Sequence, residues 1–185
     1  MSYRFVYRIL LLILCSCCGA KAAPLIMSRE AVLLDFTPGS GYLYRYSYTL
    51  TGAVLQANQE IDIRFDPVNY TRLSNAVAGP GFDVLLLQPF NPPGLPGDFS
   101  ILVLIDNPSL LAPFRVDALY VGQGPPGPQE FYINQLDSEG RITGVLASGL
   151  AQEQVPEPAA WTLGVLGMAS FGALRALRKR IRRAA

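Results

Sequence analysis

Between residues 24 and 150 no stretch of ten residues keeps a 3.6-residue apolar period, and proline or glycine breaks the chain roughly every ten residues. The breaks are Pro38-Gly-Ser-Gly41, Ala78-Gly-Pro-Gly81, Asn91-Pro-Pro-Gly-Leu-Pro-Gly97, Asn107-Pro108 and Gly122-Gln-Gly-Pro-Pro-Gly-Pro128. Each fixes φ or admits positive φ where a helix would have to continue. The segments between them have the length and pattern of strands. Tyr42-Leu-Tyr-Arg-Tyr-Ser-Tyr-Thr-Leu50 alternates with period two, and Ile61-Asp-Ile-Arg-Phe-Asp66 repeats the pattern. Val84–Leu87 and Ile101–Ile105 are continuous apolar runs, which suit strands covered on both faces. Ala31–Thr37, Phe114–Val121, Glu130–Gln135 and Arg141–Ala147 complete the set, with Asp137-Ser-Glu-Gly140 as a tight hairpin turn. About eight strands at this spacing predict an all-β domain over 23–148, an antiparallel β-sandwich of jelly-roll-like kind, followed by a small polar linker at 149–154.

The two ends carry a different pattern. Arg4 and Arg8 precede an uncharged run from Ile9 to Ala20, and the small residues Ala20, Ala22 and Ala23 follow around Lys21. A positive start, a short apolar run and a small-x-small site describe a secretory signal peptide over 1–22, cleaved after Ala22. Cleavage there removes Cys15, Cys17 and Cys18, leaving a thiol-free chain suited to an oxidising compartment. Leu14-Cys-Ser-Cys17 offers a competing site at which Cys17 would be lipidated, and the mass of the mature N-terminus separates the two.

At the other end, Ala159–Leu174 is free of charge, with Trp161 near its start, and Arg175, Arg178, Lys179, Arg180, Arg182 and Arg183 close it. As a helix the apolar run covers about 24 Å. Snorkelling Arg175 and Arg178 extend it toward a full span, predicting a transmembrane helix over 159–177 and a basic cytoplasmic tail over 178–185. Positive charge stays cytoplasmic and Trp161 sits at an interface, so the body is expected on the far side of the inner membrane. Residues 23–154 carry six Arg against thirteen Asp and Glu, a balance of −7 that the whole-chain value of +1 conceals.

Val155-Pro-Glu-Pro158 stands directly before this segment, and its two prolines deny a helix any earlier start. The ordered set of Val155, Pro156, Glu157 and Pro158, an apolar helix and a terminal Arg cluster resembles the PEP-CTERM sorting signal of Gram-negative bacteria that make extracellular polysaccharide. The resemblance implies an exosortase-like peptidase as partner. It also implies processing near 155–158 and delivery of the body to the cell surface or extracellular matrix. Simple single-pass anchoring without processing is the plainer version of the same topology. Within the body, Gly79–Gln88, Phe131–Gly140 and Gly144–Gly149 are similar to stretches of secreted proteins bearing that signal, with Leu136 where Phe is expected. That likeness brings no catalytic residues.

Chemistry in the body is sparse. The chain has no histidine, which removes Ser-His-Asp and Cys-His nucleophile systems and His-based metal sites. A hydrolase would need two acids converging in a cleft, with Asp62, Asp66, Asp98, Asp106 and Asp117 as the carboxylates to watch. Loop acids could hold Ca²⁺, but no Asp-x-Asp-x-Asp-Gly loop is present, and no metal or cofactor is expected. The acidic body disfavours nucleic acid. Tyr42, Tyr44, Tyr46 and Tyr48 share one strand face. Buried, they are core aromatics; exposed, they form a carbohydrate platform for exopolysaccharide. The body is therefore read as non-enzymatic, structural or adhesive, with a polysaccharide-binding module as the alternative.

Overall fold

The computed structural model describes residues 24–153. The signal peptide with Ala20, Ala22, Ala23 and Cys17, the motif at 155–158, the helix at 159–177 and the tail at 178–185 lie outside the described residues. Ten strands and no helix make up the described part, so the all-β expectation holds there. They are β1 (Ile26–Thr37), β2 (Gly41–Thr51), β3 (Gln59–Phe65), β4 (Tyr70–Val77), β5 (Phe82–Leu87), β6 (Gly97–Val103), β7 (Phe114–Tyr120), β8 (Glu130–Leu136), β9 (Ile142–Leu150) and β10 (Gln152–Glu153).

The strands form two five-stranded sheets, ordered β10-β1-β2-β7-β4 and β5-β6-β3-β8-β9. Successive side chains of a strand point to opposite faces, so each apolar alternation supplies one inward row. Tyr46, Tyr48 and Leu50 of β2 form such a row in the first sheet, and Ile61, Ile63 and Phe65 of β3 form one in the second. Phe99, Ile101 and Val103 of β6, with Phe114, Val116 and Ala118 of β7, complete the centre of a single core to which both sheets contribute. Edge-on ring contacts join the sheets: Tyr46 to Phe65 at 5.7 Å between centroids and Phe82 to Phe114 at 5.1 Å.

Three features depart from the sequence reading. The segment 149–154 is not a linker as far as Glu153: β9 runs to Leu150, Ala151 is buried, and its N–H donates to the Gln129 carbonyl at 2.8 Å. The chain then passes to the other sheet, where β10 pairs parallel with β1 through Ser28–Gln152 and Arg29–Glu153. Pairing is thus antiparallel throughout except at this short parallel contact, which the expectation of a wholly antiparallel domain did not include. The apolar run of β5 is covered on one face only: Val84 and Leu86 pack against the core, while Leu85 and Leu87 project into solvent. Leu104 and Ile105 likewise lie past the end of β6 and are exposed.

The β1–β2 hairpin turns at Thr37–Gly41, with the Ser40 N–H donating to the Thr37 carbonyl at 2.9 Å. Gly41 has φ +113°, and a Cβ there would fall on the Tyr120 carbonyl, so only glycine fits where β2 meets β7. The tight hairpin expected at Asp137–Gly140 is present. Asp137 accepts the N–H of Glu139 and of Arg141 at 2.9 Å each, setting β8 against β9.

Candidate functional site

The tyrosine row of β2 runs from core to solvent. Tyr46 and Tyr48 are fully buried, Tyr44 is half-buried and Tyr42 is 38% exposed. A platform of four exposed phenols is therefore corrected: the inner pair belongs to the core, because the second sheet covers that end of the row. The outer pair does not end there. Phe36 of β1 stacks on Tyr42 at 4.6 Å with the planes 29° apart, and Tyr42 lies 6.4 Å from Tyr44. Leu33, the cross-strand partner of Tyr44, is 50% exposed and Phe36 is 49% exposed. A bulge at Leu34 shifts the register so that Phe36, an even-numbered residue, joins the face of Leu33. The result is an exposed apolar ledge of Leu33, Phe36, Tyr42 and Tyr44.

Tyr120 connects this ledge to a cleft. Its ring meets Tyr44 edge-on at 6.1 Å and lies 5.3 Å from Tyr70. Tyr120 and Tyr70 wall a cleft of about 440 Å³ whose polar rim includes Arg64, Asp66, Asn69 and Glu130. The rim is built by a turn after β3. Asp66 accepts the Val68 N–H at 2.9 Å and the Asn69 amide at 2.8 Å, and its carbonyl accepts the Tyr70 N–H at 2.9 Å. Arg64 lies over the Tyr132 ring at 4.4 Å, and its Nε is buried without a hydrogen-bond partner, 3.8 Å from Asp98.

Beneath the cleft a buried polar network holds the Gly/Pro-rich loop 122–129. Gln129 donates to the Tyr70 hydroxyl and to the Gly127 carbonyl at 2.8 Å each, and accepts from Tyr48 at 3.1 Å. The Tyr46 and Tyr70 hydroxyls lie 3.0 Å apart. Burial raises all three phenols above their usual pKa, so they stay neutral. Arg29, only 4% exposed, donates to the carbonyls of Pro126 and Gly127 and to Gln129 Oε1 at 3.2 Å. No carboxylate faces it among the described residues; carbonyl dipoles and the Tyr46 ring at 5.8 Å accommodate its charge. Nothing in the sequence singled out Arg29 or Gln129. A charge inside a strand reads as an outward position, and only the loop carbonyls above it make it an inward one.

The carboxylates singled out in the sequence take several structural places. Asp66 and Asp106 serve turns; Asp106 accepts the Ala57 N–H at 2.9 Å. Asp117 lies in mid-strand, buried in an ion pair with Arg45. Asp62 is inside β3, on the face away from the core, where Asn134 donates to it at 2.8 Å. Glu60, hydrogen-bonded by Ser100, and Asp98 share that face. Burial, and then the charges of Glu60 and Asp98, push the Asp62 carboxyl up to about 6. No cluster of three or more Asp, Glu, Cys or His that could hold a metal occurs among the described residues.

This shift has a testable sign. A carboxyl raised in the folded state binds a proton more readily than in the unfolded chain, so its contribution to stability grows as pH falls from 7 through 6 toward 4. Asp62→Asn keeps an acceptor for Asn134 and removes the repelled charge. The variant should gain about 1–2 kcal/mol at pH 7 and lose nearly all of that gain by about pH 3, below the unfolded carboxyl value of 3.8. Urea titrations at the two pH values check this; a destabilised variant at pH 7 would contradict it.

No protein-family model matches the chain, and no curated protein matches it either. The functional reading therefore rests on the residues.

Proposed function

We propose that this chain is a non-enzymatic exported protein of the bacterial surface or extracellular matrix. In this reading a signal peptide over 1–22 directs it across the inner membrane and the 159–177 helix holds it there. An exosortase-like peptidase then processes it at Val155–Pro158, in the manner of PEP-CTERM proteins. The observation that carries the reading is the order of the tail: Val155-Pro-Glu-Pro158, sixteen uncharged residues from Ala159 to Leu174, then six positive charges within nine residues. Strand pairing that reaches Glu153 is in keeping with it, because the motif begins two residues later in the sequence.

The body is read as a β-sandwich of jelly-roll-like kind. Support comes from the shared core and from a chain that alternates between the sheets, at β2 to β3, β3 to β4, β4 to β5, β6 to β7, β7 to β8 and β9 to β10. Its role is structural or adhesive, and no cofactor enters the reading.

Replacing Pro156, Glu157 and Pro158 together with alanine tests the processing step. The triple variant should stay in the membrane fraction at full C-terminal length while the parent chain is released. Equal release of both would overturn processing at this motif, and retention of both in the membrane would leave only simple single-pass anchoring.

A further inference from the structure

We propose that the ledge of Leu33, Phe36, Tyr42 and Tyr44, together with the adjoining cleft, binds a neutral polysaccharide chain through its pyranose rings. Large side chains scattered singly in solvent need no explanation, but four apolar ones side by side on the same strand face do. Phe36 and Tyr42 stack on each other at the solvent end of the row, and the series Phe36, Tyr42, Tyr44, Tyr120, Tyr70 continues as neighbours from the hairpin into the cleft. A pyranose ring with its C–H bonds on one face covers such a surface while its hydroxyls point outward around the edge. Those hydroxyls then need donors and acceptors, which a purely apolar docking face would lack.

The cleft rim supplies both. Arg64, its side chain partly exposed, offers guanidinium N–H groups, while Asp66, Asn69 and Glu130 offer oxygens. At about 440 Å³ the cleft falls within the range of roughly 300–1,000 Å³ usual for small-molecule sites. Electrostatics select the chain type. One cation against two carboxylates at the rim, on a body of −7, repels uronates, sulfated sugars and phosphates alike. A neutral glycan carries no such penalty.

The site can exist whether or not the tail is processed, although its use in a matrix rests on the export reading above. Full-length protein purified in lauryldimethylamine oxide, a detergent without sugar, is titrated by calorimetry with cellohexaose, xylohexaose and mannohexaose, and with an alginate hexamer as the anionic comparison. At least one neutral probe should bind and the alginate should bind at least tenfold more weakly. Phe36→Ala and Tyr42→Ala should each weaken binding about five- to tenfold, and the pair should abolish it. Val145→Ala, on β9, should stay within twofold of the parent. Melting curves of the two alanine variants report whether the fold is kept. Failure of all three neutral probes, alginate binding as tight as theirs, or full affinity in the Phe36/Tyr42 double variant would overturn the proposal. None of these outcomes bears on tail processing, which is read by fractionation.

Discussion

Tyr46→Ala should remove about 3–5 kcal/mol of folding stability, a large share of the roughly 5–15 kcal/mol typical of a domain. Tyr42→Ala, four rungs of backbone earlier in the same row, should cost about 1 kcal/mol or less. The contrast follows from burial. Tyr46 packs against Tyr44, Tyr48, Phe65 and Tyr70, and it joins the two sheets through the Phe65 contact. Its removal leaves a cavity at the junction and strips the Tyr70 hydroxyl of a partner. Tyr42 loses a stack with Phe36 and a tilted contact with Tyr44 at the exposed end of the row. Tyr46→Phe isolates the hydroxyl and should cost about 1 kcal/mol. Equilibrium urea unfolding of the three variants measures the differences. Equal losses at positions 42 and 46 would mean that the row is not graded from core to surface.

The second large effect is expected at Asp117, 2% exposed in the middle of β7. Its two oxygens accept from Arg45 Nε at 2.8 Å and Nη2 at 3.0 Å, and from the Asn75 amide at 2.9 Å. Asn75 holds positive φ (52°) within the irregular pairing of β4 with β7, so Asp117 also fixes where β4 departs from regular register. Burial alone would raise this carboxyl, but the hydrogen bonds from Arg45 and Asn75 outweigh it and hold the group below the usual carboxylate value of 3.8. Asp117→Ala should cost about 2–3 kcal/mol, chiefly from buried donors left without an acceptor. Asp117→Asn should lie between, since one amide oxygen cannot serve both Arg45 and Asn75. The pH dependence is opposite in sign to that of Asp62. A lowered carboxyl contributes stability that is complete above 3.8 and lost as pH falls through its folded value. The parent should therefore lose stability below about pH 3.8 more steeply than Asp117→Ala. Identical acid limbs would contradict the assignment.

Much of this architecture was legible because strands advertise themselves by period two. β2, β3, β7 and β8 follow the alternation closely, and the expected turns at 38–41 and 137–140 fall where they should. β4 escaped because its inward residues, Tyr70 and Leu73, stand three apart: the register shifts between Tyr70 and Arg72, and again between Ser74 and Val77. The first third of β1 escaped for a different reason. Met27 and Arg29 are both inward, and a buried guanidinium disguises the apolar face. Residues 149–153 are small and polar enough to pass for a linker, yet their backbone groups pair with Gln129 and β1, information that composition does not hold.

The candidate site was half legible. The tyrosine row pointed to the right strand, but alternation cannot say how far the opposing sheet reaches, and that extent decides which rings stay exposed. Phe36 could not be placed in the row at all, since its face depends on the bulge at Leu34. The rim residues come from β3, the turn after it and β8, separated by more than sixty positions in sequence, and only the fold brings them together.

The proposed route takes the chain across the inner membrane and trims it at both ends. Intact mass spectrometry of the protein recovered from the extracellular fraction of its host, alongside the cytosolic and membrane fractions, tests this most directly. The predicted result is a released species that begins at Ala23 and ends within 155–158, with the longer, tail-bearing form confined to the membrane. A single untrimmed species spanning Met1 to Ala185 in the cytosol would contradict it.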